Sequence, residues 1–443
     1  MPVLIISGTQ WGDEGKGRVV DNYAEEADAG GRVQAGPNSG HTLVVGDRKF
    51  IGNHLPAMVI RPDKWSFNGP FVFQYVWRLI HELKELGTPF SEIAKHFTVD
   101  ENAPLILPHH IALDKLREAA LGKRKVGTTG RGMGPAVEDF YGRRYVPIGA
   151  CQNEKLFNEC LDRGWDEKVR LLNTFPDSLW EAIELDKAYT LDRKRWTEEL
   201  LDMGKILRGF FGDTRARVQS MLFENKRIII EGGQGFYLDP IAGGNPFCTS
   251  TPTIGSAFPY LMGIDPKQVV AHVGVVKAYT TRVGAGPFPT ELLGEDGEQL
   301  RERGHEYGAT TGRPRRTGWL DIAIPRQSAN RSGVTHLAIT KLDVLSGVEH
   351  VKVSKRHRFK GGGRYVDERE TLTARLLAQI EGDLEDALKW QEDITGCRTF
   401  EDLPRNAQGY MREMSSHIGK PIAMTSVGPD RSQKIVRNFV WSG

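Results

Sequence analysis

Short apolar runs rich in β-branched residues recur along the chain, each bounded by glycine or polar residues: 3–6, 227–230, 269–276, His336–Thr340 and 421–426. Runs of this length, apolar on both faces, suit buried strands of a parallel sheet. Helical periods lie between them. In 71–86 the apolar positions Val72, Val76, Leu79, Ile80 and Leu83 follow such a period, and 371–390 reads similarly. The alternation predicts an α/β fold with a largely parallel central sheet. Residues 151–222 are charged, spotted with Trp and Leu and poor in Gly, and read as a helical insertion. No repeat, low-complexity tract or linker divides the chain, so one domain is expected over residues 1–443.

Composition narrows the class. Fifty-nine basic residues face 57 acidic ones, a balance that argues against a protein built to coat nucleic acid and leaves room for local basic sites for small anions. No apolar run reaches the roughly 18 residues of a membrane span. The N-terminus passes from a short apolar run directly into a Gly-rich turn, and no signal peptide is expected. The four cysteines, Cys151, Cys160, Cys248 and Cys397, lack C-x-x-C spacing. A reducing cytosol is therefore expected, without a zinc site or disulfide framework.

The 50 glycines cluster at motifs, where backbone must approach a ligand closely. Gly8-Thr9-Gln10-Trp11-Gly12-Asp13-Glu14-Gly15-Lys16-Gly17 follows a predicted strand and precedes a predicted helix. Such a loop presents backbone N–H groups at a helix N-terminus and suits phosphate, and Lys16 adds a compact positive charge. It departs from the standard P-loop: Gln10 stands at the first Gly position and Gly17 replaces Ser/Thr. A ligand-free strand–helix turn is the bland reading, against which stand Asp, Glu and Lys amid glycines.

Further motifs are Asn38-Ser39-Gly40-His41-Thr42, Val126-Gly127-Thr128-Thr129-Gly130-Arg131-Gly132-Met133-Gly134-Pro135, Glu231-Gly232-Gly233-Gln234-Gly235 and Lys277-Ala278-Tyr279-Thr280-Thr281-Arg282-Val283. Thr310-Thr311-Gly312-Arg313-Pro314-Arg315-Arg316, Thr340-Lys341-Leu342-Asp343 and Ser426-Val427-Gly428-Pro429 follow. Together with the first loop, and in this order, they resemble the adenylosuccinate synthetase family over nearly the whole chain.

That resemblance implies a carbon–nitrogen ligase of purine biosynthesis that uses GTP and Mg²⁺ and works as a cytoplasmic homodimer. Asp13 matches the base that removes the purine N1 proton, which builds charge on O6 and makes it a nucleophile toward the γ-phosphate. Asp13 and the Gly40 carbonyl match Mg²⁺ ligands. His41 matches the group that donates to the β–γ bridging oxygen as charge develops on the leaving GDP. Lys16 and Gln234 complete the catalytic set, with Gln234 reaching O6. For GTP the matching residues are Gly12, Gly15, Lys16, Gly17, Gly40, Thr42, Arg315, Lys341, Asp343, Ser426 and Gly428. A carboxylate at Asp343 accepts from both N1–H and the 2-amino group of guanine; adenine offers no such pair of donors. Asn38, Thr129, Gln234, Leu238, Thr249 and Arg313 match the purine monophosphate site, and Arg143 reaches its phosphate from a neighbouring subunit. Thr310, Thr311 and Arg313 match the loop that holds L-aspartate, whose carboxylates suit arginine forks.

Departures from the family pattern crowd the acceptor side: Ala35-Gly36-Pro37, Pro56-Ala57-Met58, 250–256, Phe140, Pro147 and Pro314, with the usual motif absent near Trp390. IMP is the expected acceptor, because Asp13 is kept; GMP or dGMP, giving a 2-amino-adenylosuccinate, is the alternative. Two other classes stay open: a GTP-binding regulatory protein, which would give the Arg313/Arg315 loop and Gln234 no role, and an inactive structural paralogue, against which intact Asp13, Lys16 and His41 argue.

Overall fold

The five apolar runs stand side by side in the middle of a ten-stranded sheet. In the computed structural model, which describes residues 2–45, 48–308, 312–437 and 440–441, its strands are β1 (Val3–Gly8), β2 (Ala29–Arg32), β3 (Trp65–Asn68), β4 (Phe97–Asp100), β5 (Phe211–Gly212), β6 (Ile228–Gly235), β7 (Val269–Lys277), β8 (His336–Thr340), β9 (Ile422–Ser426) and β10 (Lys434–Val436). Their order is β10-β9-β8-β7-β1-β6-β2-β3-β4-β5. Neighbours pair in parallel except β9 with β10. All six residues of β1 are buried, so its apolar character comes from having layers on both faces.

The strands on the β2 side carry weaker signals. β2 reads Ala-Gly-Gly-Arg, and its glycines answer to packing: a Cβ on Gly31 would stand 2.1 Å from the Phe67 carbonyl oxygen, and one on Gly30 2.8 Å from Met58 Cε. Strand propensity does not register such a constraint.

Two expectations are corrected. In 71–86 only Val76–Glu85 is helical; the Phe73 N–H donates to the Ala35 carbonyl at 2.8 Å, which holds this stretch extended beside the 33–42 loop. In 371–390 the helix is confined to Ala374–Leu377, and Ile380–Asp386 is a strand antiparallel to Lys352–Phe359. Gly382 weakens a helix there, and its missing side chain lets the strand lie against Thr290, 2.6 Å from where a Cβ would stand. Residues 151–222 are mostly helical, with helices such as Glu154–Asp162 and Arg193–Ile206, and the two-residue β5 within the stretch pairs with β4.

The consequence for function is geometric. The loops that follow β1, β2, β6, β7, β8 and β9 all leave the C-terminal edge of the parallel sheet, where ligands bind in open α/β folds. Every motif from Gly8 to Gly17, and those at 38–42, 231–235, 277–283, 340–343 and 426–429, lies at that edge.

Candidate active site

The first loop takes left-handed backbone at Gly12 (φ 86°), Asp13 (φ 58°) and Gly15 (φ 85°) before the helix Lys16–Tyr23 begins. Glu14, which sequence reasoning missed, organises it. This fully buried carboxylate accepts from the N–H groups of Gln10 (3.1 Å) and Gly12 (2.9 Å) and from Lys16 Nζ (2.7 Å). Gly8 and Gly235 cradle it, since a Cβ on either would fall within 2.4 Å of its oxygens. Gln10 has a structural duty: its Oε1 accepts from the Lys277 N–H at 2.9 Å and its Nε2 donates to the Tyr279 carbonyl at 3.1 Å.

Asp13 is partly exposed and pairs with Arg315, whose Nε lies 2.7 Å from Oδ2. Arg315 Nη1 also meets Glu306 Oε2 at 2.7 Å, and Lys277 Nζ meets Glu306 Oε1 at 2.8 Å. Burial works to raise the Glu306 pKa, yet Lys277 and Arg315 beside it hold the carboxyl down to about 2. Tyr279 Oη donates to the same carboxylate. An ionic chain thus runs from the buried pair Lys277 and Glu306 through Arg315 to the partly exposed Asp13.

Gln234 adopts φ 51°, and both its amide atoms are buried without a hydrogen-bond partner among the described residues. A Cβ on Gly12 would lie 3.6 Å from both Gln234 Cα and Leu238 Cδ1. Asn38 Nδ2 donates to Thr249 Oγ1 at 3.0 Å while Asn38 Oδ1 is left without a partner, and the Thr249 N–H donates to the Leu238 carbonyl at 2.8 Å. Two contact groups therefore form: Gly12, Gln234 and Leu238, and Asn38, Leu238 and Thr249. Thr129 and Arg143 are exposed, and no hydrogen bond or ion pair among the described residues joins them to these groups. Arg313 is exposed beside Arg315, and Thr310 and Thr311 lie outside the described residues. Phe140 packs against Phe71 and Tyr145, each at 5.0 Å between ring centroids, so an aromatic cluster stands where the family pattern has basic residues.

After β8, Lys341 turns at φ 60° and its Nζ donates to the Gly304 carbonyl at 2.9 Å. Asp343 Oδ1 is buried without a partner, and burial raises this carboxyl against the pull of Lys341 and Arg18. Ser426 Oγ donates to the Gly428 carbonyl at 3.1 Å, and Arg18 reaches from the phosphate-loop helix to the carbonyls of Pro429 (2.5 Å) and Gln433 (2.9 Å). Thr340 Oγ1 donates to the Glu14 carbonyl at 2.5 Å and ties the two loops together. Lys16, Gly40 and His41 are partly buried, Gly17 is buried, and Gly15 and Thr42 are exposed.

His41 lies between Arg32 and Glu231. Its Nδ1 is 3.0 Å from Arg32 Nη2 and 3.3 Å from Glu231 Oε1, while its Nε2 is buried without a partner. Burial first, then the Arg32 charge, lowers its pKa from the ordinary value. A second histidine cluster, His109 and His110 with Asp139, has its ligand atoms within 4.8 Å of one another. His110 Nδ1 accepts from the Leu107 N–H at 3.0 Å, so its Nε2–H donates to Asp139 at 3.0 Å, and Lys168 Nζ fills the other carboxylate oxygen at 2.6 Å. That arrangement is a satisfied buried ion pair and leaves no lone pair on His110 for a metal.

A Gly-rich strand–helix loop at the C-terminal edge of a parallel sheet, flanked by a buried carboxylate oxygen and a buried amide that lack partners among the described residues, is the site architecture of a nucleotide-dependent α/β enzyme. The adenylosuccinate synthetase family model matches residues 5–435. Adenylosuccinate synthetases of Streptococcus gordonii and Trichlorobacter lovleyi are 38% identical over 442 residues and 39% identical over 441, covering 100% and 98% of both chains. The fully ligated adenylosuccinate synthetase structure from Plasmodium falciparum superposes with a TM-score of 0.90 at 32% identity, covering 99% of this chain and 100% of that one. The succinoaminodeoxyadenylate synthetase of cyanophage S-2L, bound to dGMP and dATP, has a TM-score of 0.61 at 18% identity over 99% of this chain and 96% of its own; that likeness shows the fold alone. This chain belongs to the adenylosuccinate synthetase family, and it is a GTP-dependent carbon–nitrogen ligase of purine biosynthesis. No helix among the described residues is long and apolar enough to cross a membrane.

Proposed function

We propose that the chain joins L-aspartate to C6 of IMP, giving adenylosuccinate, GDP and phosphate. Asp13 takes the N1 proton, O6 attacks the γ-phosphorus, and the bond to the β–γ bridging oxygen breaks. His41 donates a hydrogen bond to that oxygen as GDP leaves. The aspartate amine then adds to C6 and phosphate departs with the former O6. Lys16 neutralises the transferring phosphoryl group. The observation that carries this reading is Gln234, whose side-chain amide is buried without a partner and whose backbone lies against Gly12, one residue from Asp13. An unpaired buried amide costs about 1–3 kcal/mol, which an oxo-purine edge recovers.

The relatives at 38–39% identity bear the adenylosuccinate synthetase name and support IMP over a guanylate. Mg²⁺ takes oxygen donors, and the partly exposed Asp13 carboxylate with the Gly40 carbonyl is such a set; when bound, the ion neutralises charge on the phosphate oxygens. Asp343, Lys341, Ser426 and Gly428 select guanine; Gly12, Gly15, Gly17, Thr42 and Arg315 hold the triphosphate. Asn38, Thr129, Leu238 and Thr249 hold the monophosphate. Arg313, with Thr310 and Thr311, takes the aspartate carboxylates. Arg143, exposed at φ 61° beyond the helix Met133–Tyr141, reaches the acceptor phosphate of a second copy in a homodimer. Four unpaired cysteines fit a reducing cytoplasm. The test is phosphate release with GTP, Mg²⁺ and aspartate, comparing IMP, dIMP, GMP and dGMP. Turnover confined to the guanylates would overturn IMP as acceptor.

A further inference from the structure

Parallel register sets Arg32 of β2 opposite Glu231 of β6. Both side chains are almost fully buried, and Arg32 Nε donates to Glu231 Oε1 at 3.1 Å. Glu231 Oε2 accepts from the Ala57 N–H at 2.7 Å. Arg32 Nη1 donates to the carbonyls of Ser39 (3.0 Å) and Asn53, on the two segments that flank His41 in sequence. One guanidinium thus spends its donors on a carboxylate, on the backbone of the His41 loop and on the His41 ring itself.

The ring contacts are mutually exclusive for a neutral imidazole. Nδ1 is 3.0 Å from Arg32 Nη2 and 3.3 Å from Glu231 Oε1. A guanidinium only donates, so the contact with Arg32 requires a bare lone pair on Nδ1 and puts the proton on Nε2. The Glu231 contact would require the opposite tautomer. Two observations favour Arg32: its contact is the shorter, and Glu231 Oε1 already accepts from Arg32 Nε. The other nitrogen, Nε2, is buried without a partner, as expected of a donor kept for a ligand.

We infer that Arg32, held by Glu231, is a positioning residue that locks His41 as the neutral Nε2–H tautomer and so prepares it to donate to the leaving oxygen of GTP. This rests on the role proposed above for His41. Glu231 acts at one remove: it orients Arg32 and balances its charge. Removing Arg32 frees Nδ1 to carry the proton and donate it in a hydrogen bond to Glu231 Oε1, which leaves Nε2 without a hydrogen.

Nitrogen NMR on ¹⁵N-histidine-labelled protein, with the His41 signals assigned through His41→Asn, reads the tautomer directly in the full chain. The wild type is expected to show protonated Nε2 and bare Nδ1 from pH 6 to 8; protonated Nδ1 there overturns the inference without any variant. Arg32→Met is expected to invert the pattern and to lower kcat at least tenfold, with KM for GTP within threefold. A wild-type protonation pattern in that variant overturns the inference. Glu231→Gln keeps the Arg32 donor and is expected to keep the wild-type tautomer; inversion there would make Glu231, not Arg32, the locking group. If Arg32→Met does not fold, Arg32→Lys is expected to show a mixture of tautomers, and an unmixed wild-type signature would again overturn the lock. A His41→Asn enzyme with wild-type kcat would instead refute the role of His41 and leave the tautomer result standing.

Discussion

Arg315 Nε lies 2.7 Å from Asp13 Oδ2, so the carboxylate proposed to deprotonate the purine is ion-paired with the arginine proposed to hold the triphosphate. The same guanidinium is anchored from behind by Glu306, itself braced by Lys277. In the proposed reaction, incoming phosphates would offer a second anion for Arg315 and release Asp13 toward the acceptor ring. Asp13→Asn keeps the shape and removes the base. It should lower kcat by about 10²–10⁴, the usual worth of a general base, with GTP affinity within threefold by equilibrium titration.

Asp343 carries a buried oxygen that no group among the described residues satisfies. Hydrogen bonds to a charged acceptor contribute roughly 1.5–3 kcal/mol. Asp343→Asn should therefore raise KM for GTP at least tenfold and narrow the preference for GTP over ATP. Steady-state kinetics with both nucleotides checks this; continued exclusion of ATP would end the assignment of Asp343 as base selector.

Glu14 is buried and holds two backbone amides and Lys16 at once. Replacing it by Ala leaves a lysine and two N–H groups unpaired, at a cost of about 3 kcal/mol. A urea midpoint should fall accordingly, and phosphate binding should weaken because the loop loses its internal brace. An unchanged midpoint would show that the brace contributes nothing to the fold.

His272 predicts an acid-side loss of stability. Burial pushes its pKa down from 6.5 to about 4; Nδ1–H donates to the Ser332 carbonyl at 3.0 Å, and Nε2 accepts from Ser7 Oγ at 2.7 Å. Below pH 6.5 the unfolded chain binds a proton that the folded one refuses until about pH 4. Stability therefore falls as pH drops through that window, by about 3 kcal/mol for this one site. His54, likewise pushed to about 4 by burial, adds to the slope. Denaturation midpoints between pH 7 and 5 check the sign, and His272→Asn should remove close to one proton from the slope.

The sheet and site were unequally legible in the linear pattern. β1, β6, β7, β8 and β9 announce themselves as apolar runs because both faces are covered. β2, with two glycines and an arginine, does not: its residues answer to Phe67 and Met58 across the sheet. The strand Ile380–Asp386 was read as helix because its apolar spacing fits either period until an antiparallel partner is present. Within the site, Asp13, Lys16, Asp343 and Gln234 stand in motifs and could be named from them. Glu14 also stood in a motif, yet only its burial between Gly8 and Gly235 reveals its duty.

The sequence by itself determined the family, the reaction class and the set of loops that carry chemistry, because phosphate, guanine and carboxylate recognition each demand particular residue types at short spacing. Tertiary structure alone decided which of those groups meet. Arg32 and Glu231 are 199 residues apart and Asp13 and Arg315 are just over 300 apart. Only strand register and the common edge of a parallel sheet bring such partners within hydrogen-bonding distance, and no local pattern encodes a contact made across that length of chain.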